Sequence, residues 1–305
     1  MIFRILDGGA GSELHDLGYH VHEDPLWSAR LLDTNPGAIK QLHKSYLEAG
    51  ADTIITVTYQ ATVAGFEKFL GVSTERATEL IKSGVSLARE ACHEVPPNLK
   101  KGTERRVAGS VGPYGVFLHD GSEYSGYYVE SMTQKELIDW HRPQVTALLD
   151  GGVDMLAVET IPALKEAEAI LELLKEFPTA KAYFTFSCKD GKYLCHGEKF
   201  SEAIQIVMSS DQVIAAGINC THPSYISELL DSLRPLQISK PIIVKPNSGE
   251  GWKSGVGWCG RGEQSPLEAH LTAWVDKGAT WIGGCCRIKP HDIKTLKEYV
   301  EHIVK

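Results

Sequence analysis

Three stretches of the chain repeat one pattern: the end of a helical run, a glycine, then a short continuous apolar run rich in β-branched residues. They are EAGADTIITVT (48–58), DGGVDMLAVET (150–160) and DKGATWIGGCC (276–286). Glycine just past a helix suits the left-handed C′ position, and an apolar run bounded by turn residues suits a strand buried on both faces. Followed along the chain, the pattern predicts strands near 2–6, 53–58, 107–111, 154–159, 182–187, 213–218, 242–245 and 280–283. Helical patterns fall between them near 36–49, 74–93, 133–150, 163–176, 200–209, 223–234, 265–277 and 290–303. Asn35-Pro36, Thr221-His222-Pro223, Ser265-Pro266 and Lys289-Pro290 sharpen several helix starts with a cap or an early proline. Strict alternation over short connections predicts an α/β fold, a single (β/α)8 TIM-type barrel occupying residues 1–305; an open doubly wound sheet would use the same alternation. Longer connections at 7–35, 112–132 and 246–264 all leave C-terminal ends of strands, the face on which such barrels build their sites.

The bulk numbers narrow the chemistry. With 305 residues, 43% hydrophobic and 23% charged, the chain has ample material for a core, and its formal charge of −8 with scattered Lys and Arg disfavours a nucleic-acid partner. No apolar run reaches the ~20 residues of a membrane span, and the N-terminus lacks a signal-peptide core. Seven cysteines, an odd number without a secretory signal, predict reduced thiols in a cytoplasmic protein.

Three of those cysteines stand at strand ends. Cys220 closes GINC (217–220), and Cys285 with Cys286 closes GGCC (283–286), so a barrel would gather them at one rim. Adjacent strand residues point to opposite faces, so two neighbouring cysteines can share a metal only where the strand breaks, and Gly283-Gly284 would supply that freedom. Three thiolates suit Zn2+ and leave its fourth tetrahedral position open, as in catalytic sites. Such a site would hold an incoming thiol as an electron-rich thiolate, which favours alkylation of sulfur over hydrolysis. The competing reading makes all three cysteines small buried hydrophobes, which is how Cys92, Cys188, Cys195 and Cys259 are read.

Asp7, Gly8 and Gly9 follow the first strand, where successive backbone N–H groups could form a nest for a carboxylate; a plain tight turn is the alternative. Glu159 closes the fourth strand and could pair with an ammonium, or simply form a structural salt bridge. Together with a thiolate-binding metal, these features describe a site for an amino acid that carries a thiol.

DGG at 7–9, VET at 158–160, GINC at 217–220, PNSGE at 246–250 and GGCC at 283–286 resemble, in order and across the whole chain, the homocysteine S-methyltransferase family. The stretch GSVGPYGVFLHDGSEYSGYY (109–128) looks like the branch that uses S-methylmethionine or S-adenosylmethionine. The resemblance implies zinc on Cys220, Cys285 and Cys286, the homocysteine backbone against Asp7, Gly8 and Gly9, its amino group on Glu159, and supporting roles for Asn219 and Asn247. It further implies homocysteine and a sulfonium methyl donor as partners, in a monomer or weak oligomer. Thr160 stands where the betaine-using branch carries an aromatic residue, and that branch's C-terminal oligomerisation extension is not present, so betaine is the disfavoured donor. Folate- and cobalamin-dependent relatives are far longer. Tyr59, Tyr114 and Trp252 are candidate aromatics for a cationic donor, against ordinary packing. Two rival readings are a non-catalytic zinc- or redox-sensing barrel and a Schiff-base lyase built on Lys245.

Overall fold

The computed structural model describes residues 3–96, 104–253, 257–259 and 267–303; of 251–253 and 257–259 only the backbone is described. The strands in chain order are β1 (Arg4–Ile5), β2 (Thr53–Ile55), β3 (Arg106–Val111), β4 (Met155–Ile161), β5 (Ala182–Phe186), β6 (Val213–Asn219), β7 (Ile242–Lys245), β8 (Gly251–Lys253), β9 (Gly257–Cys259) and β10 (Ala279–Ile282). Eight of them form one parallel sheet in the order β1-β10-β7-β6-β5-β4-β3-β2. A parallel bridge from Leu6 to Thr53 joins the two ends of that order, so the sheet curls into a barrel rather than a doubly wound layer. β8 and β9 form a separate antiparallel hairpin.

Each predicted strand is found within a few residues of its place, and the helices follow as closely, from Pro36–Ala49 through Thr74–Glu94 to Pro290–Ile303. Gly50 and Gly278 end their helices with φ of 106° and 100°, torsions that only glycine adopts at little cost. The 7–35 connection, expected to be a loop, holds a helix at Ala10–Asp16, and a further helix at Val63–Leu70 precedes Thr74–Glu94.

Two apolar layers result. Leu6, Ile55, Ala108, Met155, Ala157, Tyr183, Ala215, Ile243 and Trp281 fill the barrel, while a larger cluster packs the helices onto its outside. Small residues (Ala108, Ala157, Ala215) make room for the rings of Tyr183 and Trp281, which meet edge to face. The apolar filling stops at the C-terminal ends of the strands, where buried polar residues take over. No helix of the described residues is long and apolar enough to cross a membrane.

Candidate active site

A cavity of about 560 Å³ opens at that end of the barrel. Asp7, Gly8, Gly9, Glu159, Asn219, Cys220, Cys285 and Cys286 all line it, as do Ser110, Tyr124 and Lys245. The structure thus brings together every site residue expected from sequence except Asn247. That side chain instead accepts a hydrogen bond from the Gly249 amide at 3.0 Å and braces the loop after β7.

The sulfur corner is made by backbone that leaves the strand geometry. Cys220, one residue past β6, has φ of 46°, and Arg287, just past the paired cysteines, has φ of 69°. Such torsions are uncommon outside glycine and mark a chain held by its surroundings. Cys220 and Cys285 stand sulfur to sulfur with Cα atoms 5.4 Å apart, and Cys286 Sγ lies 3.5 Å from Cys220 Sγ. The three sulfurs fall within 4.8 Å of one another. The sequence predicted reduced thiols throughout; here the same two sulfurs that a metal would share are placed where they can also pair with each other. Burial pushes the Cys286 thiol up to about 11, so at neutral pH it keeps its proton unless a cation replaces it. Soft donors converging this closely on a cavity wall fit a thiophilic metal with an open coordination position.

Gly283 and Gly284 serve this corner differently from the expectation. Neither has a positive φ; a Cβ on Gly284 would lie 2.3 Å from Ile288 Cβ, and one on Gly283 would lie 2.8 Å from the Asp7 carbonyl oxygen. They are needed for close approach rather than for torsional freedom. The same holds across the gap, where a Cβ on Gly8 would meet the Ile288 carbonyl and one on Gly9 the Cys285 carbonyl.

Asn219 ties the sulfur corner to its neighbour. Its Oδ1 accepts from the Thr160 amide and its Nδ2 donates to Thr160 Oγ1, both at 2.8 Å, while Nδ2 lies 3.9 Å from Cys285 Sγ. Thr160 needs this support: it sits at φ of 59°, a genuine outlier for a β-branched residue, where the β4–β5 register slips.

The charged corner holds Asp7, Glu159 and Lys245, at 4%, 7% and 3% exposure. Lys245 Nζ donates to Glu159 Oε1 at 2.5 Å, and the carboxylate also accepts from Tyr183 Oη (3.1 Å) and Ser110 Oγ (3.2 Å). Glu159, expected to await an ammonium, already has a cationic partner. Asp7 Oδ2 accepts from the Ile55 amide at 2.8 Å, while Oδ1 is buried with no partner among the described residues. Burial pushes the Asp7 carboxyl up to about 7 despite the opposing field of Lys245. Of the amides in the expected nest, the Asp7 N–H donates to the Thr53 carbonyl and the Gly9 N–H to that of Ile288.

The 112–132 loop supplies the far wall. Tyr124 Oη reaches 3.8 Å from Cys220 Sγ, and Glu123 lines the cavity with Oε2 buried and unpartnered among the described residues. A buried Glu166 anchors the loop from behind, accepting from the Tyr114 amide (2.7 Å) and Tyr128 Oη (2.5 Å) while meeting His141 Nε2 at 2.9 Å. Of the candidate aromatics, Tyr59 lines the cavity, whereas Tyr114 packs against Phe117, Tyr128 and Trp140. The Trp252 side chain lies outside the described residues. Ser110, Tyr183, Glu123 and Tyr124 were not singled out from the sequence; a tyrosine inside the fully buried β5 was the visible signal for one of them.

Fold and site together define a barrel enzyme whose reaction centre combines clustered thiols with a buried charge pair. The family model for homocysteine S-methyltransferase matches residues 4–300, and the chain belongs to that family. It is 42% identical to homocysteine S-methyltransferase YbgG of Bacillus subtilis, over 98% of this chain and 95% of that one. It is 40% identical to betaine-homocysteine S-methyltransferase of Drosophila melanogaster, over 96% and 93%. The metallated form of the Escherichia coli homocysteine methyltransferase MmuM superposes with a TM-score of 0.85 at 39% identity, covering 98% of this chain and 96% of that one. The chain is therefore an enzyme that transfers a methyl group to sulfur, with homocysteine as the family's acceptor.

Proposed function

We propose that this enzyme carries a catalytic zinc on Cys220, Cys285 and Cys286 and takes its methyl group from a sulfonium donor, S-methylmethionine or S-adenosylmethionine, giving methionine from homocysteine. The observation that carries the reading is the convergence of three sulfurs within 4.8 Å on the wall of one cavity. Bound there, zinc supplies the charge that keeps the acceptor sulfur deprotonated at neutral pH.

The rest of the chemistry falls to the chain. The charged corner holds the amino-acid head of homocysteine, which aims its side-chain sulfur at the thiol cluster. The cavity, well inside the roughly 300–1,000 Å³ range of small-molecule sites, has room for a second small substrate. A sulfonium already carries the charge that makes its methyl group electrophilic. The acceptor sulfur forms a bond to the methyl carbon as the donor's C–S bond breaks and its electron pair stays on the departing, neutral thioether. No acid is required, so alignment of the two substrates is the main task, and such positioning can contribute roughly 7–11 kcal/mol in favourable cases. Glu123, whose Oε2 has no partner among the described residues, and the Tyr59 and Tyr124 rings offer a cationic donor a favourable surface.

Elemental analysis and donor competition test the reading. About one zinc per chain is expected, with label transferred from S-methylmethionine or S-adenosylmethionine well ahead of betaine. Full activity in metal-free protein would sink the zinc assignment. Predominant transfer from betaine would overturn the donor assignment alone.

A further inference from the structure

Behind the loop that carries Glu123 and Tyr124 into the cavity sits a carboxylate that the reaction does not touch. Glu166 lies in the first turn of the Leu164–Leu174 helix, is fully buried, and is not among the cavity's described lining residues. An acid at that position commonly turns back to cap its own helix, yet Glu166 gives both oxygens to other elements. Oε1 accepts from the Tyr114 amide at 2.7 Å and meets His141 Nε2 at 2.9 Å, and Oε2 accepts from Tyr128 Oη at 2.5 Å. A leucine there would pack the helices together without the desolvation cost of a carboxylate. We propose that Glu166 is a positioning residue for the methyl donor: its carboxylate clamps both ends of the segment from Tyr114 to Tyr128 and so sets Glu123 and Tyr124 against the donor. This rests on the reading above that a cationic donor lies on that wall.

Tyr114 stands where the chain has left β3, Tyr128 in the turn Tyr127–Glu130, and Glu123 and Tyr124 lie between them. The packing leaves no slack at Gly115, where a Cβ would lie 2.6 Å from the Glu123 nitrogen and 2.7 Å from the Tyr128 ring. A shift of Tyr128 is therefore passed to the Glu123 backbone by direct contact. The same helix start holds the loop twice more. Lys165 Nζ donates to the Val129 and Met132 carbonyls at 2.7 and 2.5 Å, and a Cβ on Gly126 would lie 3.3 Å from the Cβ atoms of Pro162 and Ala163. Burial, and then the Glu166 charge, push the Tyr128 hydroxyl well above the usual tyrosine range, so it stays a donor to the clamp. His141, fully buried with Nδ1 unpartnered among the described residues, braces the carboxylate from the Gln134–Asp150 helix. Methyl transfer depends on alignment, and a displacement on the order of 1 Å can cost about 100-fold.

The test measures donor kcat/KM at saturating homocysteine, with whichever of S-methylmethionine, S-adenosylmethionine and betaine the wild type uses, alongside homocysteine KM and zinc content. Glu166→Leu, which fills the space without an acceptor, should lower donor kcat/KM by about 10–100-fold and leave the other two within about twofold. Tyr128→Phe removes one donor from the clamp and should lower it by about three- to tenfold; it serves if Glu166→Leu does not fold. Glu166→Gln keeps an oxygen for the Tyr114 amide and offers an N–H to the Tyr128 oxygen, so it should recover most of the loss. Leu173→Ala, a cavity farther along the same helix, should cost stability and leave donor kcat/KM alone. Donor kcat/KM that holds in Glu166→Leu and Tyr128→Phe, or that falls equally in Leu173→Ala, overturns the role of Glu166. Glu123→Gln probes the wall itself: a fall there without one in the clamp variants removes Glu166 alone, whereas no fall in any of them removes the donor wall as well.

Discussion

The two corners of the cavity are finished to different degrees. The charged corner is compensated at Glu159, which has Lys245, Tyr183 and Ser110, and the substrate head adds to a network that already holds together. The sulfur corner is not. Its sulfurs crowd within 4.8 Å of one another on the cavity wall, and desolvation raises the Cys286 thiol to about 11 despite the opposing field of Lys245. One corner binds by pre-organised charge; the other becomes reactive only once a metal displaces its protons. Breaking the Glu159–Lys245 pair should therefore cost stability and acceptor affinity, and changes in the second corner should cost metal and turnover.

The largest effect expected is at Cys220. Cys220→Ala should remove most bound metal and lower activity by more than about 100-fold, beyond the 10–100-fold range of residues that merely orient ligands. Cys188→Ala is the control, since Cys188 is also buried but lies outside the cluster. Metal content and kcat should fall together in the first and stay in the second. If Cys220→Ala keeps its metal, the corners do not divide as argued.

Next comes Glu159→Gln, which keeps the shape and loses the charge. Removing one member of a buried pair leaves the other uncompensated and costs roughly 3–5 kcal/mol. The variant should melt lower than wild type and show a raised KM for homocysteine while retaining its metal. Adding Lys245→Met should recover much of the stability and none of the affinity. A double variant as unstable as the single one would place the cost elsewhere than in the orphaned lysine.

Why the sulfur corner was legible in the sequence and the charged corner only in part follows from what each depends on. GINC and GGCC place thiols at strand ends, and strand ends of a parallel barrel share a rim, so periodicity alone brings Cys220 toward Cys285. The Lys245–Glu159 pair spans 86 residues and reaches from β4 to β7, and nothing in the alternation of elements says which inward side chains touch across a barrel. Glu159 could be picked out as a carboxylate at the rim, but not as one already paired. Short elements were hidden for another reason. Ala10–Asp16 has only seven residues and begins at Gly9 without a side-chain cap, so it lacks the start signal that Asn35 gives the Pro36–Ala49 helix. The glycines of DGG and GGCC were conspicuous but ambiguous, because sequence cannot separate a glycine needed for torsion from one needed for space; here the contacts at Gly8 and Gly284 decide for space.

The smallest effect expected is at Asp7, and it distinguishes a carboxylate that is compensated from one that is not. Burial raises the Asp7 carboxyl from 3.8 to about 7, so the folded protein holds a proton that the unfolded chain has already released over the intervening pH range. The native state then binds more protons than the unfolded state, and stability falls as pH rises through that window. Asp7→Asn removes the ionisation while its amide oxygen can still accept from the Ile55 amide. Relative to wild type, the metal-free variant should gain stability between about pH 4 and pH 8, on the order of 1–3 kcal/mol, with little difference at the acidic end. Urea midpoints measured across that range decide it. Parallel curves would mean that Lys245 compensates Asp7 as fully as it does Glu159, and the charged corner would then be closed on all sides before any substrate arrives.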